Sequence, residues 1–546
     1  MLCVSTMNQQ VLQQMQLVGQ FSPNMMILEE GVQGLLIIFF QVSSSEMINS
    51  PLMIPECLAR IFEYLRGERS SLHSCLLVNR SWCRIVVPIL WREPFKLLKD
   101  KADASLLRTY FSCIEDQDQL QSMQDWMTFP SEVPLPQRAT FDYPIFLRHL
   151  CCKTMFETIE NWLLTTASVE IQRHYKDISV QLIASNFFQL LMNKCPILET
   201  LILWSGASNS IPITGSLSGT NTCLSRIVSL QVEGNYHDID LWSISQRCHS
   251  LKQLTIDVEI SVNSMNMLHN LVHVQRELEH FRLVFRPEDK VFTNKVQPEL
   301  LNALANHPNH LNTIEFNRCN FIDCPSLEAL SECNNIRHLV LWKCVGLGPG
   351  KMYSLYKVNF GQLQRLEIYV HPGVAADMVI KMIRDSNNQL QSLRLAGITP
   401  QSELPSVLSV MTRHCQNLTD CRLVLKDGDN NAFNALLTFL GVSLKLEILY
   451  ITFTDRVYPI CNYEDIAKHL PNGLRELVFR DFLFSPASLA NFLENMTPTY
   501  HSLSFSKRHF DQQHIDVIFK YVKNRSNLFR LMRHPRYMSI KAKSEP

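Results

Sequence analysis

The sequence predicts an α/β protein in which a small three-helix domain is followed by a repeat solenoid, a curved parallel sheet with helices outside it. Three observations lead there. The chain has 546 residues, and single hydrophobic cores stop growing near roughly 250–300 residues, so several domains or an extended array are required. A Leu-x-x-Leu-x-Leu string, with conservative swaps, occurs twelve times between Leu198 and Phe505. Residues 48–95 instead carry apolar side chains at helical spacing.

The bulk composition is that of a folded protein, with 46% hydrophobic and 19% charged residues. Lys plus Arg and Asp plus Glu each number 51, so no global field attracts nucleic acid or an anionic membrane. The apolar run Leu35–Phe40 is far shorter than the roughly 20 residues of a spanning helix, and Glu29 and Glu30 precede it where a signal peptide carries positive charge. Residues 1–47 are read as an N-terminal extension, either a buried strand or a poorly ordered segment, with Met47 as an alternative start. The 17 cysteines are scattered and include no C-x-x-C pair. Free, buried thiols in a reducing compartment, cytoplasmic or nuclear, are expected. Cys319, Cys324, Cys333 and Cys344 match no standard zinc spacing, so no metal or other cofactor is expected.

In the helical domain, Pro55 sits in a first turn, where its missing N–H is harmless. Leu58, Ile61, Phe62 and Leu65 form one apolar face, and Gly67 ends that helix. Ser70 or Ser71 caps a second helix carrying Leu72, Cys75 and Leu76. Asn79 caps a third with Trp82, Ile85 and Val86, which Pro88 stops. Ile54-Pro55, the helix-one residues, the block Cys75-Leu76-Leu77-Val78-Asn79-Arg80-x-Trp82 and the closing Pro88 and Leu90-Trp91 together resemble an F-box. The match departs at Cys57, where the family often carries Glu. The resemblance implies docking onto the small adaptor subunit of a ubiquitin ligase and, through it, onto a cullin. It nominates Pro55, Leu58, Ile61, Phe62, Leu65, Leu76 and Trp82 for that interface. Trp82 and Trp91 have an alternative role, holding the box against the next domain. The competing reading is a plain helical subdomain with these residues as its core.

After the box, residues 96–194 read as a helical linker region, with helices expected over Leu106–Ile114, Phe146–Leu164 and Ile183–Met192. Pro130, Pro134 and Pro136 mark a loop. Residues 195–510 hold the repeats, whose starting positions lie 24 to 33 residues apart, and residues 511–546 form a C-terminal cap and tail. The longest interval, Leu278 to Leu311, implies an insertion. The period resembles that of leucine-rich repeats. Each Leu-x-Leu piece is a short strand with alternate side chains in the core, and helical segments such as Ala376–Ile383 lie between strands. One unit cannot bury its own faces, so neighbours must stack. Of the Asn or Cys that such repeats place three residues after the motif, only Asn235, Cys319 and Cys344 are present, so the repeats are degenerate. The alternative is an ordinary α/β domain.

The concave face exposes aromatic and charged residues, from which Trp204, Trp342, Tyr369, Arg394 and Arg480 are chosen as candidates for binding a target protein. The basic stretch Arg530–Lys543 is read as a solvated tail. Val345–Met352 (VGLGPGKM) lacks the first Gly and the final Ser/Thr of a phosphate loop and is read as an exposed inter-repeat loop. No catalytic motif stands out, so no catalytic residue is nominated. The leading expectation is a non-enzymatic substrate adaptor: the box binds the ligase adaptor subunit and the repeats bind an unidentified target, leading to its ubiquitination and degradation. A non-ligase protein-binding scaffold and an enzyme hidden in residues 96–190 are the other two readings.

Overall fold

The computed structural model describes residues 55–96, 104–114, 139–166, 176–205, 223–234, 238–258, 267–286, 295–426, 429–454, 464–480, 485–496, 501–506, 510–526, 528–533 and 537–542. The N-terminal extension, Pro130, Pro134, Pro136, Asn235 and most of the interval between Phe285 and Val296 lie outside the described residues. The chain forms two compact units, Met1–Ile227 and Val228–Pro546.

The first unit opens with helices α1 (Pro55–Tyr64), α2 (Arg69–Leu76) and α3 (Arg80–Leu90). Asn79 caps α3 as its sequence position suggests, accepting a hydrogen bond from the Trp82 amide at 2.9 Å. Two boundaries differ from expectation. Glu68 rather than a serine precedes α2. Pro88 lies inside α3, which runs on to Leu90 before Trp91 turns away. Next come α4 (Ala104–Phe111), strand β1 (His149–Cys151), α5 (Cys152–Thr166), α6 (Lys176–Lys194) and strand β2 (Thr200–Ser205). β1 and β2 pair in parallel, Leu150 opposite Leu201. The region expected to be a helical linker therefore contains a strand of the repeated kind: Leu147-x-x-Leu150-x-Cys152 is a further copy of the motif, with all three side chains buried.

The second unit carries β3 (Ser229–Gly234), β4 (Gln253–Val258), β5 (His280–Phe285), β6 (Thr313–Asn317), β7 (His338–Val345), β8 (Arg365–Ala375), β9 (Ser392–Thr399), β10 (Asp420–Lys426), β11 (Ile448–Thr454), β12 (Glu476–Arg480), β13 (Ser502–Ser506), β14 (Phe529–Arg533) and β15 (Tyr537–Ala542). From β3 to β13 each strand lies parallel to the next in sequence order. The sheet then ends antiparallel, β15 lying between β13 and β14. The stretch expected to be a tail is thus sheet: Phe529, Met538 and Ile540 are buried, and the alternation of apolar and polar residues along Tyr537–Ala542 fits one covered face. Arg536 and Lys543 lie outside the described residues.

The Leu-x-Leu residues of each motif sit on the strands and point into a core shared with the intervening helices. Leu339 and Leu341, Leu366 and Ile368, and Leu393 and Leu395 are all at most 2% exposed. A backbone device sets the stagger. One carbonyl before each strand accepts two consecutive amides of the next: Val228 takes Lys252 and Gln253 at 2.8 and 3.0 Å, and Gln364 takes Gln391 and Ser392 at 2.7 and 3.0 Å. Cysteines tie neighbouring strands together. The Cys344 thiol donates to the Phe316 carbonyl at 3.4 Å, and Cys319 lies 3.8 Å from that of Leu283. Burial pushes the Cys319 thiol well above its ordinary pKa, as it does Cys324 and Cys333, each up to about 11. These groups behave as structural donors. No helix of the described residues is long and apolar enough to cross a membrane.

Candidate functional site

Residues that alternate with the buried leucines form in-register rows on the other face of the second unit's sheet. One row holds Arg282, Glu315, Glu367, Arg394, Arg422 and Tyr450, with Val340 between the two glutamates. The next holds Trp342 opposite Tyr369. The row order places opposite charges side by side. Arg365 reaches Glu367 at 2.7 Å and Glu315 at 3.4 Å, Arg282 reaches Glu315 at 3.5 Å, and Arg394 reaches Glu367 at 3.5 Å.

Three of the five nominated target-binding residues come together here. The Arg394 guanidinium lies 3.4 Å from the centre of the Trp342 ring, and Tyr369 meets that ring edge-on at 5.3 Å. Burial holds the Arg394 guanidinium below the ordinary arginine pKa, and the charges of Arg422 and Arg480 push the same way against Glu367. Arg480 stands further along, on β12, 5.9 Å from the Tyr450 ring that Arg422 also covers at 4.3 Å. Trp204 does not join them. It lies on β2 in the first unit, its ring 5.8 Å from Phe156.

The glycine-rich string has its own fixed role. The φ of Gly346 is +77°, and a Cβ there would come within 2.6 Å of the Ile322 amide nitrogen. Lys351 donates to the carbonyls of Phe321 and Ile322 at 2.8 and 3.0 Å. Its ammonium closes the preceding loop. The string is not the exposed loop expected, since Val345 ends β7, Pro349–Met352 is a helical turn, and Leu347 and Met352 are buried because they face the core.

In the helical domain, Leu58, Phe62, Leu65, Leu72, Cys75, Trp82 and Val86 make one buried cluster. Phe62 and Trp82 meet edge-on at 4.9 Å. Ile61, Leu76, Val78 and Ile85 pack against the cluster while keeping part of their surface outside. Beside them Leu77 is 77% exposed and Tyr64 50% exposed. Leu77 and Tyr64 thus leave apolar surface of this domain in water.

A family model described as F-box-like matches residues 55–97. This segment is an F-box-like domain. No curated protein matches the chain. Of the seven adaptor-binding residues nominated from sequence, four (Leu58, Phe62, Leu65 and Trp82) form the core of the F-box-like domain, whereas Pro55 is exposed and Ile61 and Leu76 are half-buried. The exposed apolar residues Leu77 and Tyr64 were not among those nominated, although Leu77 falls off the Leu72–Cys75 stripe. The two nominated tryptophans divide their roles. Trp82 stays inside the domain, and Trp91 packs on Tyr143 and Tyr110 at 4.0 and 5.2 Å. Phe95 reinforces that junction against Tyr110 and Phe187. Arg92 ties it by charge to Glu63 at 3.0 Å and Glu199 at 2.7 Å.

Proposed function

We propose that the chain is a non-catalytic receptor subunit of a cullin-dependent ubiquitin ligase. The F-box-like domain docks on the small adaptor subunit, and the strand–helix array, read as a degenerate leucine-rich-repeat solenoid, holds the protein to be modified. The match at residues 55–97 carries this reading. The apolar surface of Leu77, Tyr64, Ile61 and Leu76 supports it from the structural side. The receptor acts by proximity: it raises the effective concentration of a target lysine near the charged conjugating enzyme and needs no acid, base or nucleophile of its own. Cytoplasm and nucleus, where such ligases work, are its expected compartments.

The test is a pull-down of the full chain by purified adaptor subunit, with Leu77→Asp as the variant. An exposed side chain is replaceable within about 0.5 kcal/mol of stability. A carboxylate buried unpaired in an apolar interface costs several kcal/mol. Binding should therefore fall at least about a hundredfold while circular dichroism stays unchanged. Failure of the folded, unaltered chain to bind would remove the ligase reading. Adaptor binding without cullin recruitment would leave a protein-binding scaffold.

A further inference from the structure

The sheet of the second unit ends in an open edge. β14 is its last strand and, among the described residues, has a neighbouring strand on one side only. The ladder shows which backbone groups look outward. The Ala542 amide donates to the His501 carbonyl at 2.9 Å, so Ala542, Ile540 and Met538 turn their backbone groups to β13, and Lys541 and Ser539 turn theirs to β14. Arg530 and Met532 stand opposite Lys541 and Ser539 and use their backbone groups there. Phe529, Leu531 and Arg533 therefore face the open side. The Phe529 amide is taken by a turn and donates to the Arg525 carbonyl at 3.1 Å. Leu531 and Arg533 each keep an N–H and a C=O without a backbone partner among the described residues.

The side chains give that edge a sign. β13, β14 and β15 contain no Asp or Glu. Arg530 and Lys541 lie opposite each other on the sheet face, and among the described residues neither has a carboxylate partner. Glu476 begins the same cross-strand row, which continues through Ser502 and Lys541 to Arg530. It stands three strand spacings from Arg530, about 14 Å, beyond the roughly 8 Å Debye length at physiological salt. It also already accepts the Tyr450 hydroxyl at 2.8 Å. Met532, on the same face as Arg530, is 44% exposed, whereas Phe529 on the other face is buried. A second copy docking strand to strand would set one basic edge against another, with no acidic residue on the last three strands of either to offset it. The edge is closed to its own kind and open to a strand of opposite charge.

We propose that β14 accepts, as an added antiparallel strand, an extended segment of another protein that carries the pattern apolar-x-acidic. The middle residue of that pattern exchanges both backbone hydrogen bonds with Leu531. Its neighbours then fall on the sheet face. The preceding, apolar one lies against Met532, and the following one places its carboxylate against the Arg530 guanidinium. Main-chain bonds hold the segment, while the order of Met532 and Arg530 along β14 fixes its direction and register. The surface needs no residue of the F-box-like domain, so it stands or falls separately from the ligase reading.

The experiment uses the full chain and peptides of about nine residues, long enough to cover a strand with flanks. Their centre is fixed as Val-Thr-Glu, Val-Thr-Lys or Val-Pro-Glu, and their flanks are degenerate. The Glu peptides should bind at least about tenfold more tightly than the Lys peptides, the swing between an opposite-charge and a like-charge cross-strand pair. The proline peptides should not bind, because their middle residue has no N–H to donate. Arg530→Glu should reverse the charge preference. Arg530 is exposed, so this change leaves the fold intact, as circular dichroism would verify. Saturation with the Glu peptides should slow hydrogen exchange at the Leu531 amide. Failure of the Glu peptides to bind overturns the proposal. So does a Glu preference that proline leaves intact, since that would be charge attraction without strand pairing. If the chain instead dimerises with concentration and the Leu531 amide is protected in the dimer, the edge belongs to a second copy and the proposal is likewise overturned.

Discussion

The F-box-like domain and the strand–helix array bury their apolar residues in opposite ways. The domain gathers seven side chains into one nucleus, and each is unique. The array spends one nearly identical set per unit and repeats it, with Leu339, Leu366 and Leu393 in register on adjacent strands. In a nucleus of fewer than about 50 residues any lesion is global to the domain. In the array a lesion is felt by the neighbours it touches.

Phe62→Ala should break the comparison most visibly. Truncating a buried phenylalanine costs about 3–5 kcal/mol. The expected result is loss of hydrogen-exchange protection across α1–α3 and of adaptor binding, while strand amides from β3 to β13 keep theirs. Gly346→Ala tests the array at a comparable depth. The positive φ and the contact with the Ile322 amide together cost about 1–3 kcal/mol. Exchange should quicken around β6 to β8 and nowhere else. A smaller effect comes from Cys344→Ala, which removes a thiol donor to the Phe316 carbonyl and costs about 0.5–1.5 kcal/mol. Its melting temperature should drop by a few degrees at most.

The smallest effect is a pH dependence carried by His307. Burial lowers its pKa, with His310 and His273 acting in the same direction and the Val272 carbonyl, 3.0 Å from Nε2, opposing them. Below about pH 6.5 the unfolded chain takes up a proton that the folded chain refuses. Stability is therefore full above that pH and declines as pH falls through it. His149 and His338, lowered chiefly by burial, add to the same slope. His307→Gln keeps an amide donor for Val272 and should flatten the fall in denaturation midpoint between pH 7.5 and 5.5.

The sequence showed the strands well because their cause is local. A buried residue at every second position leaves a string that survives swaps such as Cys421 for Leu. It hid β1 because Cys152 ends that motif and a long helical stretch separates it from Leu198, so the period is broken. It hid β14 and β15 because antiparallel strands at the end of the array need no leucine string, and their basic residues resemble those of a tail. In the F-box-like domain the residue types were legible but their direction was not. Leu58 and Leu77 are chemically alike, and only the packing of three helices decides which of them meets water. The convergence of Trp342, Tyr369 and Arg394 followed from strand register. That of Arg422 and Arg480 on the Tyr450 ring depends on how long side chains lean, which no spacing encodes.

The shared carbonyl that staggers the strands has its first member in the F-box-like segment itself. The Arg92 carbonyl accepts the amides of Arg148 and His149 at 3.0 and 3.1 Å, and Arg148 then serves Glu199 and Thr200. The helical domain therefore occupies the zeroth step of a ladder, in phase with β1 and β2. Backbone geometry, rather than the length of the intervening chain, sets the offset between that domain and the first rungs. Residues inserted between Arg92 and Arg148 would leave the phase untouched.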